Sequence, residues 1–522
     1  EFHEFIVIGS GPGGSITANK LNKNFPNKTL LIDRGYEFDQ SKTKHSGEEF
    51  YYKWRNGGIT SSFFPLQISF SSGSCVGGGS EINSGLYHEP DTEFLMEWVQ
   101  KYDTKNLKYN DVKIYTDEIK DYLQPSSYSR NNIFEKNFKL GADLTKKNYQ
   151  IIPRLSYKNN NDSKNSTMLN TYLKDYKKQG GKILEGFQVS RIFESKNGWK
   201  VEGLLNNKKL VLSCKYIFLC CGSIYTNSLL KKSLKISRAK NFNFHPMIKI
   251  IAKYPNQIQN INEDVNSYQI TSHYPDFIIG NAASSKQFML ASVYDDEYLY
   301  ENVKKNWRNM TIFHSTFSFG EGKVINLPII DKDLYYYNIN NSNLNLIKNA
   351  IKEMSKFVFK SGATEIILIS SKNKQKITIS NYEQTISSIK KIKQFIFSSV
   401  HILGGVKMGE NNDCIADSFG KIKDFKSFVD TQSVIKNSLD KCMQFKDLEK
   451  VLYIGNDVND FSTMAACGLR WCPNDANPLI SQLSSRRLKK NGGNGCIREV
   501  INKLSDGKKI VKIIREFLKI NC

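Results

Sequence analysis

Four apolar residues, Phe5-Ile6-Val7-Ile8, run without interruption into Gly9-Ser10-Gly11-Pro12-Gly13-Gly14. Such a run bounded by a glycine turn predicts a fully buried strand, and Ser15 to Asn22 behind it predicts a helix. A second strand follows at Thr29-Leu30-Leu31-Ile32, completing a βαβ unit. From Gly35 to Phe70 the pattern reads as loop, and from 92 to 180 helical pieces at Phe94 to Tyr102 and Ser166 to Gln179 alternate with polar stretches. Strand patterns return at Ile183 to Glu185 and Val189 to Ile192, then turn through Asn197-Gly198 into Lys200 to Leu205. Lys215 to Leu230 repeats the strand, small-residue turn and helix of the N-terminus. Beyond it lie strands at Phe288 to Val293, Met310 to Phe319 and Gly322 to Ile330. A helix at Asn343 to Lys360 shows its apolar spacing in Leu344, Ile347, Ile351, Met354 and Val358.

The first glycine cluster carries chemistry. Gly9 permits a tight turn, Gly11 lets backbone approach a pyrophosphate, Gly13 adds a further small residue, and Gly14 lets the helix pack closely on the strand. Phosphates then sit at the positive N-terminus of that helix. Asp33, at the end of the second strand, stands where an acid accepts from a ribose 2′-OH, which disfavours NADP. A second small-residue run, Gly77-Gly78-Gly79-Ser80, lets backbone lie against a flat ligand, with Asn83 spaced to aim its amide at the same ligand.

Length and composition narrow the rest. With 522 residues and 39% hydrophobic content the chain buries a large core and divides into more than one domain. No stretch approaches the ~18 unbroken apolar residues of a membrane span, and Glu1-Phe2-His3-Glu4 leads straight into the first strand, so no signal peptide is expected and the cytoplasm is the default compartment. The net charge of +23 comes from lysines scattered among asparagines, a solvated basic surface with no nucleic-acid stripe. Ten cysteines without a Cys-x-x-Cys read as reduced and structural. Only seven histidines occur, so one inside a motif is informative.

Both glycine motifs in this order, with Val76-Gly77-Gly78-Gly79-Ser80-x-Ile82-Asn83 as the second, resemble the glucose-methanol-choline (GMC) oxidoreductases, flavoenzymes that oxidise alcohols. The resemblance implies an FAD site built from Gly9, Gly11, Gly13, Gly14, Asp33, Gly77, Gly78, Gly79, Ser80 and Asn83. A third landmark, Cys220-Cys221-Gly222-Ser223, is similar to the family's Ala-Gly-Ala turn and adds Cys221 and Gly222, with Val189 beside the same adenosine half. Cys221 there replaces an alanine and Asn227 a proline. His245-Pro246 resembles the crossing into the substrate domain, where a structural role is expected of His245. Val400-His401-Ile402-Leu403-Gly404-Gly405-Val406-Lys407-Met408-Gly409 resembles the family's His-Pro-x-Gly-Thr-x-x-Met-Gly, with Ile402 for proline and Gly405 for threonine. It implies that His401 faces flavin N5 as catalytic base. The expected architecture is α/β: a Rossmann-like FAD-binding domain over 1–100, 181–247 and 390–430, and an α+β substrate domain with an antiparallel sheet over 101–180 and 248–389. The expected substrate is a small alcohol or sugar; the electron acceptor and oligomeric state stay open.

After 430 the chain changes character. Val451 to Ile454 runs into Gly455-Asn456-Asp457-Val458-Asn459-Asp460, and this, with the motifs that follow, resembles the C-terminal half of a haloacid-dehalogenase (HAD) phosphatase acting on 3-deoxy-manno-octulosonate 8-phosphate. The resemblance implies a partial HAD-like α/β segment over 431–522, a vestigial Mg²⁺ site at Asp457 and Asp460, and a phosphate-binding role for Lys436. The nucleophilic Asp-x-Asp is lacking, since Asp331-Lys332-Asp333 is a chance match inside the substrate domain. Three readings follow: an alcohol oxidoreductase impaired by a replaced tail, a sugar-phosphate phosphatase or oligomerisation module set by that tail, and an inactive gene chimera.

Overall fold

The computed structural model describes residues 2–423, apart from short stretches at 39–46, 59, 106, 128–130, 160–161, 260–264, 328–331 and 373, and beyond them 452–454, 464, 469–491 and 499. The chain divides into two units, Glu1–Ile415 and Ala416–Cys522.

The first strand extends further back than its apolar run, over Phe2–Ile8, and sits inside a six-stranded sheet between Thr29–Ile32 and Lys208–Leu219, parallel to both. Phe5, Ile6, Val7 and Ile8 are all buried, which explains the unbroken run: a central parallel strand is covered on both faces. Lys182–Leu184 extends the parallel part. Phe187–Ser195 and Gly198–Leu205 add an antiparallel meander beside Lys208–Leu219, turned through Lys196 and Asn197, one residue ahead of the expected Asn197-Gly198. The helix Pro12–Asn24 starts with proline at its first position, where the missing amide costs no hydrogen bond.

The second layer is a ten-stranded sheet with Met247–Lys253 and Met310–Thr316 at its centre. On one face Ile248, Ile250, Ala252, Phe313 and Phe317 pack against the helix Leu344–Lys360, whose Ile347, Ile351, Met354 and Val358 are buried at the expected helical spacing. On the other face Ile251, Met310 and Ile312 pack with Met289, Val293 and Leu299. A separate five-stranded sheet carries Asn241–Phe244, Glu321–Leu327 and Lys332–Asn338.

Three expectations need correction. Phe288 to Val293 is not a strand: Lys286–Ser292 is a helix whose N-cap, Ser285, accepts from the Phe288 amide. A short apolar run does not distinguish the two, and the cap decides. The predicted helix at Ser166 to Gln179 is confined to Tyr172–Lys178. Gly35 to Phe70 holds a helix at Gly47–Lys53 and short strands at Thr60–Ser61, Phe64–Pro65 and Ile68–Phe70. Ile68–Phe70 pairs with Phe397–Ser399, and Ser398 lies opposite Met247, so both segments hydrogen-bond into the large sheet.

In the second unit Leu452–Ile454, Leu469–Cys472 and Arg486–Arg487 form a parallel three-stranded sheet, with the helix Pro478–Leu483 between the last two strands. Lys436, Asp457 and Asp460, the residues of the expected phosphate and Mg²⁺ site, lie outside the described residues. Asp333, the chance nucleophile, accepts from Ser228 Oγ at 2.6 Å and lies 3.4 Å from Lys232 Nζ, a structural role. Among the described residues no helix is long and apolar enough to cross a membrane. The described cysteines that are free include the neighbours Cys220 and Cys221.

Candidate active site

The two glycine motifs meet at Ser10. Its hydroxyl donates to Asp33 Oδ2 at 2.6 Å and accepts from the Gly77 amide at 3.0 Å, while its own amide donates to the same Asp33 oxygen at 2.9 Å. Gly35 N donates to Asp33 Oδ1 at 2.8 Å. The Asp33 carboxyl is buried, and desolvation pushes its pKa up against these donors. Asp33 therefore anchors the loop ends, and its share in holding a ribose is limited to the lone pairs the protein leaves. Ser10 was not singled out by sequence, because one serine in a glycine run carries no signal.

The remaining small residues divide into two groups. A side chain at Gly9 or Gly14 would run into the backbone of Cys220 or of Gly9 itself, and one on Gly78 would stand 2.8 Å from Gly11 Cα. These positions are small because protein packs on them. At Gly13, Gly79 and Gly222, by contrast, an added β-carbon meets nothing within 4 Å, and at Gly11 it meets only Gly78 Cα at 4.0 Å. The helix behind Gly11 has no side-chain cap, so its first amides are free to take an anion. Arg55 adds a guanidinium 3.4 Å from the Tyr225 ring, with a buried Nε that has no partner. Open space over glycines, uncapped amides and an orphaned cationic donor fit a dinucleotide pyrophosphate, so the residues present suit FAD.

Other expected cofactor residues are placed differently. Ser80 is buried, donating to Gly77 O at 2.8 Å and accepting from the Met168 amide at 3.0 Å, so its hydroxyl holds protein together. Asn83 Oδ1 closes a turn by accepting from Gly85 N at 2.9 Å, leaving its amide nitrogen at an exposed position. Val189 lies two residues beyond Phe187, whose amide donates to Asp33 O at 3.0 Å, which puts that strand beside the nucleotide loop. Cys221 Sγ sits 3.5 Å from Ile8 O, and Asn227, in place of the family's proline, donates to Asn241 O at 2.6 Å.

The second centre is a histidine pair. Phe244 lies opposite Ile402, and Asn243 opposite Leu403, in an antiparallel ladder. Continuing that register by one residue brings His245 against His401, with the two Nδ1 atoms 3.1 Å apart and the rings at 75°. Ser399 fixes the His401 backbone from both sides, donating to its carbonyl at 2.8 Å and accepting from its amide at 3.3 Å. Gly405, where the family has threonine, is at φ +102°, and a β-carbon there would press on the Ser223 backbone at 3.0 Å. Glycine is what that approach allows. Burial, then the charge of His88, holds His401 below the ordinary imidazole pKa; burial and His401 bring His245 down to about 4. Yet His401 keeps an exposed surface and His245 a partly exposed one, so the pair is reachable from solvent. Sequence reasoning gave His245 a structural role and passed over His88. The signal was the ladder, which no local pattern displays.

Residues 50–247, which include the second glycine motif, Cys221, Gly222 and His245, match the GMC oxidoreductase family. An uncharacterised GMC-type oxidoreductase, y4nJ of Sinorhizobium fredii, is 22% identical over 454 residues, 82% of this chain and 89% of the relative. The long-chain-alcohol oxidase FAO4A of Arabidopsis thaliana is 23% identical over 402 residues, 69% of this chain and 54% of the relative. Among solved structures, pyridoxine 4-oxidase from Mesorbium loti superposes with a TM-score of 0.57 at 12% identity, and formate oxidase from Aspergillus oryzae with 0.59 at 10% identity, each over 81% of this chain and 92% of the other. At those identities the superpositions speak for the fold. With the GMC oxidoreductase match over 50–247, the relatives along most of the chain and a cradle that fits the cofactor, the chain is an FAD-dependent oxidoreductase acting on CH–OH groups, similar to the GMC-type enzymes.

Proposed function

We propose that the chain oxidises a small alcohol or sugar with His401 as the proton acceptor and His245 as its partner. The observation that carries this reading is the 3.1 Å contact between the two Nδ1 atoms. Two neutral imidazoles joined in this way must differ in tautomer: one donates from Nδ1 and keeps a bare Nε2, the other accepts at Nδ1 and carries Nε2–H. Assigning the donor to His401 leaves its Nε2 as a base and gives His245 an N–H for the substrate oxygen. When the carbinol is oxidised, its hydroxyl proton passes to His401 Nε2, and the imidazolium formed still donates to His245. His245 Nε2–H meanwhile steadies the oxygen as it becomes a carbonyl. The chemistry FAD would supply when bound is that of a hydride acceptor for the carbinol carbon. Gly11, Gly79, the amides behind Gly11 and Arg55 would hold the pyrophosphate, and Gly77, Gly78, Cys221, Gly222 and Val189 would shape the walls around the cofactor.

No chemistry is assigned to the C-terminal unit, since the phosphatase expected there needs an Asp-x-Asp nucleophile for covalent phosphoryl transfer and residues 431–522 contain none. A purified protein that carries flavin absorbance and is bleached by an alcohol in the absence of oxygen supports the proposed function. A protein that purifies with flavin but is bleached by no alcohol or sugar refutes it.

A further inference from the structure

A line of polar residues crosses the large sheet beside the histidine pair. Lys249 lies opposite His314, His314 opposite Gly280, Gly280 opposite Gln269, and Gln269 opposite Gln150, so all five share one face. Side chains alternate along a strand, which puts Met247 on the face of Lys249, and His245 lies two residues ahead of the strand's start. Further along, the same face turns apolar at Ile251 and Ile312 and is closed by Met289 and Val293. The polar line is thus a distinct strip between the histidine pair and the apolar end of the sheet.

Within it the charges do not balance. Among the described residues Lys249 Nζ makes no hydrogen bond and no ion pair; only its backbone is engaged, with Ser370. His314 holds Thr316 Oγ1 at 2.8 Å through Nδ1, and its Nε2 side lies over Gly280, where a β-carbon would come within 3.0 Å. The charges felt at His314 are those of Lys249 and His401, both repelling a proton, and His401 in turn feels His88. Among the described residues no carboxylate acts on Lys249, His245 or His401. A half-buried ammonium without a counter-charge is costly unless a ligand supplies one.

We propose that Lys249 and His314 bind an anionic group of the substrate, so that the alcohol oxidised carries a carboxylate or phosphate at the end remote from its reacting carbinol. This inference rests on the histidine pair being the reaction centre. Lys249 stands four residues along the chain from His245, at most roughly 13 Å at ~3.3 Å per residue, a span that a lysine side chain and a sugar-sized substrate bridge together. Burial lowers the Lys249 ammonium to about 8, which leaves it charged at neutral pH. The partner of that charge is neither nucleic acid nor a membrane surface, since Lys249 is half-buried on the face of a central strand rather than on the basic exterior.

The test is calorimetric binding of matched pairs to the purified full chain: glycerate against glycerol, gluconate against sorbitol, glucose 6-phosphate against glucose. The inference expects at least one acid or phosphate to bind about 10- to 100-fold more tightly than its neutral partner, the size of a charge-assisted hydrogen bond. In Lys249→Met that gap should close, and Lys249→Arg should restore part of it. Preference for the carboxylates or for the phosphate then names the group. If no pair discriminates, or if Lys249→Met keeps the gap, the inference is wrong. Because binding is read without turnover, a protein that discriminates but never bleaches its flavin would instead count against the histidine chemistry.

Discussion

Gly11 and Gly78 meet backbone to backbone: a β-carbon on Gly78 would stand 2.8 Å from Gly11 Cα, whereas one on Gly11 would find Gly78 Cα at 4.0 Å and nothing else. The two glycines come from motifs 67 residues apart, and their contact is asymmetric. One is small for the protein, the other for the ligand.

That asymmetry separates two substitutions. Gly11→Ala should leave the thermal unfolding of flavin-free protein within ~0.5 kcal/mol of wild type, as a substitution into open space does, yet lower the flavin content. Gly78→Ala, strained both by the contact and by φ +58°, should destabilise the protein by about 1–3 kcal/mol. Equal unfolding temperatures for the two variants, with equal flavin content, would rule out the division.

Removing the base should leave binding and abolish chemistry. His401→Ala is expected to slow flavin reduction by substrate about 10²- to 10⁴-fold, the usual cost of a lost general base, with flavin still bound. Unchanged reduction would exclude the assignment. The pH profile has a defined sign: burial first, then His88, keep the His401 pKa below 6.5, and the base works when neutral. Activity should therefore be level above pH 6.5 and fall as pH drops through the folded-state pKa. A profile still rising well above 6.5 would point to another group.

Acid should also weaken the fold. His245 titrates at about 4 in the folded protein against 6.5 for an unperturbed imidazole, mainly through burial. Between those values the unfolded chain binds a proton that the folded chain refuses, so stability rises with pH across that window and is fully present above 6.5. Denaturant titrations of wild type and His245→Asn from pH 4 to 7 should show a shallower pH slope for the variant, and parallel slopes would show that other groups carry it.

Ser10 joins three elements through one oxygen. Ser10→Ala leaves Asp33 without its 2.6 Å donor and the Gly77 amide without its acceptor, at an expected cost of about 1–3 kcal/mol and with weaker flavin retention. Chemical denaturation and the absorbance ratio of flavin to protein measure the two effects, and a neutral result would show that water replaces the hydroxyl.

No Mg²⁺-dependent phosphatase activity is expected. Chelation should leave alcohol oxidation unchanged, and a generic aryl phosphate should stay intact with Mg²⁺ present. Turnover abolished by Asp457→Asn would show that some other segment supplies the missing nucleophile.

What could be read beforehand was what a single stretch encodes. The central strand Phe5 to Ile8, the glycine turn behind it and the helix at 344–360 each display their burial in their own spacing. His401 stood out because histidine is scarce. What could not be read depends on partners distant in the chain. Thr60–Ser61 and Ile68–Phe70 looked like loop because short strands become strands only when paired, here with each other and with Phe397–Ser399. Ser80 was expected at the cofactor, yet its position is set by Met168, 88 residues away. His245 looked structural because its pairing with His401 depends on a register that no short window contains.

The sheet that holds the cofactor cradle has its own schedule. Phe2–Ile8 finds one parallel neighbour, Thr29–Ile32, almost at once, but the other, Lys208–Leu219, emerges about 200 residues later. At typical elongation rates of ~5–20 residues per second the first strand waits roughly 10–40 s with one edge unpaired. During that interval an apolar edge is open to passing chains, and Cys221 and Gly222, at the far end of the late strand, are not yet made. Flavin loading is therefore a late event in the life of each molecule, and a cell short of FAD would first accumulate completed chains with an empty cradle rather than truncated ones.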